Sequence, residues 1–153
     1  MYTSITKILE AGLSKTELVS LAENDARDVA DIDFGSDTDA LVIRVNSFIA
    51  KADSWIDSYL DARFTVPLTS APSTIEELST RRTIYLLNES RHRKDMPESL
   101  ILLNDRDEKY LTKVQKGDVT PKGLTEKVSA STFIRTDRTS SNKTFNDDFM
   151  DDF

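Results

Sequence analysis

The stretch TDALVIRVNSFIAKADSWIDSYLDARF, residues 38–64, decides the fold of this chain. Its apolar residues recur at steps of three and four, which is the spacing of one face of a helix. These residues are Leu41, Val45, Phe48, Ile49, Ala52, Trp55, Ile56, Tyr59 and Leu60. A helix of about 26 residues would be roughly 39 Å long. We therefore predict one long central helix, with Asp53, Asp57 and Asp61 on its polar face.

Helical spacing also appears on both sides of this central segment. The ranges are 3–10, a short segment that begins at Ser14, 72–93 and 97–115. Ser14 and Glu17 match the capping box at a helix start, and Gly117 suits a helix end. The acidic stretch 23–37 is predicted to be a loop. The sequence thus predicts a mainly α fold, a compact bundle of about five helices over residues 1–117.

Residues 118–153 differ in character from the bundle, because they are rich in Ser and Thr and lack a long helical stripe. A short β segment is a candidate at 131–135. Near the end, Phe145, Phe149 and Phe153 recur every four residues among acids such as Asp148. Large aromatic side chains of this kind act as anchors in partner pockets. We predict an extended C-terminal interaction tail that becomes ordered on a partner.

Composition excludes several kinds of chemistry. The chain has 153 residues, 20 Lys+Arg, 27 Asp+Glu, a net charge of −7, no Cys, one His and four Gly. Without Cys there is no thiolate nucleophile or Cys-based metal site, and one His cannot form a multi-His site. The scattered glycines form no phosphate-binding loop. We therefore expect no enzyme activity, no cofactor and no metal.

The sequence also argues against calcium binding and membrane insertion. The acidic stretch 31–39 departs from the calcium-loop pattern, because Gly35 falls at position 5 rather than 6 when counting from Asp31. No apolar run approaches the roughly 20 residues that span a membrane. We therefore expect no calcium site and no membrane partner, and a location in the cytoplasm where the protein is made.

Basic residues concentrate in one part of the chain. They are Arg81, Arg82, Arg91, His92, Arg93 and Lys94. One interpretation is a surface that faces the phosphates of DNA, with Arg91, Arg93 and Lys94 as the DNA-facing residues. The other is a solvated helix end, where cations complement the negative end of the helix dipole.

One motif in the central segment resembles a known family. The pattern Ile56-Asp57-x-Tyr59-Leu60-x-x-Arg63-Phe64, followed by Pro67-Leu68, is similar to the Mu-like phage family of head–tail adaptor or neck proteins. Leu13–Leu18, Tyr110-Leu111, Lys116–Asp118 and the Phe-bearing end add weaker similarity. The resemblance covers most of residues 2–117.

The resemblance implies a virion structural protein rather than a catalyst. Such proteins are thought to form a ring, commonly of twelve copies, beneath the portal protein, with double-stranded DNA passing non-specifically through its lumen. Implied partners are further copies of the chain, the portal protein and a tail terminator, stopper or tail-completion protein. The implied location is the virion neck, and the host cytoplasm during assembly.

A ring needs two complementary surfaces on each subunit. We expect Asp53, Asp57 and Asp61 on one side and Arg81 and Arg82 on the other. The alternative function is a small DNA-binding protein of phage packaging or regulation. It would need a basic recognition helix, and the first two helices carry only Lys7 and Lys15.

Overall fold

The computed structural model describes residues 1–22, 27–92 and 94–127, and it is mainly helical within these ranges. The helices are α1 (Ile5–Glu10), α2 (Lys15–Ala22), α3 (Ala40–Leu60), α4 (Ser73–Arg91) and α5 (Glu98–Lys116), with a short 3₁₀ helix at Val29–Asp31. The described part contains no β-strand, only an isolated antiparallel bridge between Phe64 and Glu126. The predicted mainly α fold with five helices and a long central one is therefore confirmed.

Helices α3, α4 and α5 form the body of the bundle. Ile49 of α3 shares a core cluster with Leu87 of α4, whereas the later Ile56 shares another with the earlier Leu78, so α3 and α4 are antiparallel. Helices α4 and α5 are also antiparallel. Arg81 contacts Asp107, whereas the following residue, Arg82, contacts the earlier Asn104. Helix α5 consequently runs parallel to α3.

The core consists of two clusters that follow each other along α3. The first joins α1, α2, the 3₁₀ helix and the first half of α3 to Leu87. The second joins Tyr2, the second half of α3, the start of α4 and the second half of α5. Burial of apolar side chains from all five helices in these clusters supplies the main stabilisation of the fold. The long helix α3 therefore holds both halves together.

Local capping explains most helix boundaries. The Ser14–Glu17 capping box is present, since Ser14 N donates to Glu17 at 2.8 Å and Glu17 N donates to Ser14 Oγ at 3.2 Å. Helix α3 starts after Asp39, whose carboxylate accepts from Leu41 N at 2.8 Å. Gly117 ends α5 with a φ of 95°, a conformation that glycine adopts without strain.

Helix α3 is shorter than the predicted range 38–64. Its 21 residues end at Leu60, so it is about 32 Å long. The chain leaves the helix because Phe64 turns back into the second cluster, where it is 1% exposed. The start of α5 also differs from the predicted range 97–115. Pro97 is the N-cap residue, and the helix begins at Glu98.

The buried face of α3 also differs from the predicted stripe. Phe48, Trp55 and Tyr59 are only half-buried, whereas Val42 and Asp53 are buried. The placement of Asp53 on a solvated face was wrong. The physical reason is that α4 and the N-terminal segment pack against the α3 face that carries this residue, and they supply its hydrogen-bond partners.

Residues 118–127 pack against the bundle. Pro121 is buried, and Val119 and Leu124 lie against the second cluster. The candidate β segment at 131–135 and the rest of the predicted tail lie outside the described residues. Among the helices of the described part, none combines the length and apolar character that crossing a membrane requires.

Candidate functional site

The motif of residues 56–68 forms a junction between distant parts of the chain. Ile56, Leu60 and Phe64 are 0–1% exposed and pack with Leu111 and Val114 of α5. The apolar half of the motif is therefore core. Its polar residues face outward from this core and contact the N-terminal segment and the segment that follows α5.

Tyr2 connects the N-terminal segment to two of the predicted interface acids. Its backbone N donates to Asp53 Oδ2 at 2.9 Å, and Ser79 Oγ donates to Asp53 Oδ1 at 2.6 Å. The Tyr2 hydroxyl donates to Asp57 and accepts from Leu68 N at 2.9 Å. Both carboxylates thus receive hydrogen bonds from within the chain, and these bonds satisfy the buried Asp53 carboxylate.

This environment alters the ionisation of both partners. Burial, together with the hydrogen bond to Asp57, raises the pKa of the Tyr2 hydroxyl well above its usual value. Burial also raises the pKa of Asp57, against the opposing effect of the Tyr2 hydrogen bond. The folded protein therefore favours the neutral phenol, which keeps its proton for the Asp57 carboxylate.

We expect an alkaline loss of stability that depends on Tyr2. A tyrosine with a raised pKa in the folded state contributes stability below about pH 10, and this contribution is lost as pH rises further because the unfolded chain ionises first. Tyr2→Phe should lower the free energy of unfolding by about 1 kcal/mol at neutral pH. It should also flatten the decline above pH 10 in chemical denaturation curves.

Tyr85→Phe is the matched control, because it keeps the ring that contacts Arg82 and removes a hydroxyl that has no hydrogen bond within the described part of the chain. Some alkaline decline should remain in both variants, since burial also raises the pKa values of Tyr59 and Tyr110. Identical pH profiles for wild type and Tyr2→Phe would contradict the assignment.

Arg63 holds the segment that follows α5. Its Nη1 donates to the carbonyl oxygens of Val114 at 2.6 Å and Val119 at 3.1 Å. Its Nη2 donates to Thr120 Oγ1 at 3.1 Å and forms an ion pair with Glu126. One guanidinium thus donates hydrogen bonds both to the last turn of α5 and to the turn that follows it. This is possible because a guanidinium carries several N–H donors in a fixed plane.

A second set of contacts completes this attachment, which we call the C-terminal anchor (Asp61, Arg63, Glu126 and Lys127). Lys127 Nζ donates to the Asp61 carbonyl at 2.7 Å and to Asp61 Oδ1 at 2.8 Å. Lys127 N donates to Arg63 O at 2.7 Å. The anchor fixes residue 127 beside the C-terminal end of α3, which sets the point from which residues 128–153 depart.

The two predicted interface arginines contact α5 of their own chain. Arg81 forms a two-point ion pair with Asp107, with distances of 2.7 and 3.1 Å, and Asp107 is 6% exposed. Arg82 donates to Asn104, and its guanidinium lies 4.3 Å from the centre of the Trp55 ring. These contacts join α4 to α5 and partly cover Trp55.

The structure does not bring the acidic row and the arginine pair together. Asp53 and Asp57 contact Tyr2, Asp61 contacts Lys127, and Arg81 and Arg82 contact α5; the interface role of these five residues stays a prediction. Sequence reasoning missed Tyr2 and Arg63 as organising residues. The signal for Arg63 was its position as the one base in the motif of residues 56–68.

The remaining predicted residues fall into two groups. Arg91, His92 and Lys94 are exposed at the end of α4 and in the following turn. Arg93, Phe145, Asp148, Phe149 and Phe153 lie outside the described residues. Across ranges 1–22, 27–92 and 94–127, no group of three or more acidic, His or Cys side chains could hold a metal ion.

The chain matches a known protein family over most of its length. The family model described as Bacteriophage Mu, Gp36 matches residues 3–133, which is well over half of the chain. No curated protein matches the chain significantly. The matched range includes the whole helical bundle, the motif of residues 56–68 and the C-terminal anchor.

Proposed function

Because this chain belongs to the bacteriophage Mu Gp36 family, we propose that it is a structural subunit of the phage head–tail connector. In this role it forms a ring beneath the portal protein and joins the capsid to a tail terminator, stopper or tail-completion protein. The observation that carries the proposal is the family match over residues 3–133. The protein acts in the virion neck, after assembly in the host cytoplasm, and performs no catalysis.

The architecture supports a role as an assembly part. A bundle with two buried clusters provides a rigid body, and the C-terminal anchor fixes where the remaining chain departs. The Phe-bearing end, with Phe145, Phe149, Phe153 and Asp148, is then presented to a neighbouring protein from a defined point. Contacts between unlike surfaces of successive copies close into a ring, for which we expect twelve copies.

The exposed bases fit passage of DNA without sequence recognition. Arg91 and Lys94 are solvent-accessible and would face the lumen together with Arg93. A few cations against an overall charge of −7 give weak, sequence-independent contact with phosphates. Such a surface lets the duplex slide, because few counterions are released on contact.

The same exposed bases favour the second candidate, a small DNA-binding protein of packaging or regulation. The described helices argue against it, because α1 and α2 have six and eight residues and Lys7 is paired with Glu76. Measurement of duplex binding separates the two functions. A monomer that binds duplex tightly at moderate salt would favour the second.

Loss of the chain in an infected cell tests the proposed function. We expect a phage with a stop codon early in this gene to accumulate DNA-filled heads and free tails that do not join. Expression of the wild-type chain in the host should restore joined particles. Normal tailed particles without the chain would contradict the connector role.

A further inference from the structure

The stacking of Arg82 on Trp55 is one end of a longer line of cations and aromatic rings along one side of α3. Arg44 lies 5.9 Å from the centre of the Phe48 ring, and Lys51 Nζ lies 4.9 Å from it. Trp55 follows one turn later, under Arg82. The spacing of residues 44, 48, 51 and 55 places them on one helical face.

Helix α5 covers only the part of this face that is near Trp55. Trp55 lies beside Leu100, Leu103 and Asn104 in the first two turns of α5. Because α5 starts only six residues before Asn104 and runs parallel to α3, Arg44 and Phe48 lie before the level at which α5 begins. Ile101 is 40% exposed and lies two turns before Glu108, which contacts Tyr59 of α3. Helical periodicity therefore places Ile101 on the α3 side of α5, next to the uncovered part.

We call this region the arginine–aromatic surface (Arg44, Phe48, Lys51, Trp55, Arg82 and Ile101). Two of its cations remain available to anions, because the Arg44 and Lys51 side chains contact the Phe48 ring but form no hydrogen bond within the described ranges. The ion pairs of the described residues also do not include Arg44 or Lys51. A partner with carboxylates and aromatic rings would match it.

The end of the same chain has this chemistry. Residues 145–153 read FNDDFMDDF, with three Phe, four Asp and no base. The charge of −4 is opposite to that of Arg44 and Lys51. The Phe side chains of this segment can pack against the exposed parts of Phe48 and Ile101. They can also stack on the guanidinium group of Arg44.

We propose that residues 145–153 of one copy bind the arginine–aromatic surface of a second copy. This deepens the proposed function, on which it rests, by naming the neighbour that receives the C-terminal end. The tail departs at residue 127, beside Asp61, whereas Phe48 lies about 20 Å away along α3. Residues 128–144 can span at most about 60 Å, enough to reach an adjacent copy. A donor at one end and a receiver towards the other generate the head-to-tail contacts of a ring.

The test uses two full-length variants that each lose one side of the contact. Phe149→Ala removes an anchor from the tail, and Lys51→Glu places an acid on the exposed edge of the surface. Each variant alone should self-associate at least about tenfold more weakly than wild type in sedimentation equilibrium. An equimolar mixture should recover a complex of two chains, because one intact tail meets one intact surface.

Matched controls separate this contact from general effects. Phe133→Ala removes the same side chain before the acidic stretch, and Lys109→Glu makes the same charge change on the outward face of α5. Both should associate like wild type. Association of the wild type should also weaken with added salt, because carboxylates and cations are screened.

Three outcomes would overturn the proposal. The first is a wild type that stays monomeric up to about 1 mM subunits. The second is a mixture that fails to form two-chain complexes although the wild type associates. The third is a difference in Trp55 fluorescence between Phe149→Ala and wild type at subunit concentrations too low for association, since the tail would then bind its own chain; Trp55 is the one Trp of the sequence. In each of these cases, heads that fail to join tails in the gene-loss experiment would still support the connector role, so the two proposals are tested separately.

Discussion

Phe64→Ala is expected to lower the free energy of unfolding by about 3–5 kcal/mol, the range for truncating a buried Phe. Phe64 is 1% exposed in the second core cluster, and its backbone bridges to Glu126. The substitution therefore leaves a cavity at the point where α3, α5 and the C-terminal anchor meet. Urea denaturation of the full chain, followed by circular dichroism, measures the change.

Phe34→Ala serves as the control, because Phe34 is only half-buried at the edge of the first cluster. It should cost about 1 kcal/mol, in proportion to the smaller area removed from water. Equal costs for the two substitutions, or a cost below about 1 kcal/mol for Phe64→Ala, would show that the motif of residues 56–68 is not part of the core.

Deletion of residues 145–153 is expected to abolish head–tail joining while the bundle stays folded. The described core and the C-terminal anchor end at residue 127, so the deletion removes no buried side chain of the described clusters. The anchoring aromatics Phe145, Phe149 and Phe153 are all lost. Complementation of the gene-deficient phage with the truncated chain measures joining, and thermal unfolding measures the fold.

The deletion has two informative comparisons. Replacing the four Asp of residues 145–153 by Asn keeps the aromatic anchors and removes the charge, and it should weaken joining less than the deletion does. Joined, infectious particles produced with the truncated chain would contradict a role of this segment in docking. A large fall in melting temperature would assign it to the fold instead.

The sequence was most informative about local features of the fold. Helical periodicity located α3, and the pairs Ser14 with Glu17 and Lys116 with Gly117 marked helix ends, because these signals act within one or two turns. The prediction put Asp53 on the polar face of α3 because its side chain is charged, although its position in the helical repeat favoured the buried face. It lies four residues after Ile49 and three before Ile56, so it belongs to the buried face of α3.

Long-range contacts lay beyond the reach of the pattern. Arg63 contacts residues 114–126, more than fifty positions away, and the register of α5 against α3 decides this pairing. The burial of Trp55 was likewise overestimated, since its exposure depends on where α5 begins and on the position of Arg82. Similarly, no local signal shows that Tyr2 reaches Asp53 and Asp57.

Sequence and structure each contribute different residues to the proposed binding surfaces. The Phe-bearing end and the basic residues are visible in the sequence, since charge clusters and aromatic spacing can be recognised without the fold. The structure added the arginine–aromatic surface, because stacked cations on α3 become recognisable only when α4 and α5 are in place. In the proposed ring, the Phe-bearing end is the donor and the arginine–aromatic surface is the receiver.

A cryo-electron microscopy reconstruction of the phage neck would show the proposed ring itself. We expect a closed ring of this helical bundle between the portal protein and the tail-completion proteins, with duplex density in its lumen and Arg91 and Lys94 facing it. We also expect density for the C-terminal end of each copy on the α3 face of the next. A neck reconstruction without this bundle, from particles that are fully tailed, would contradict the connector role.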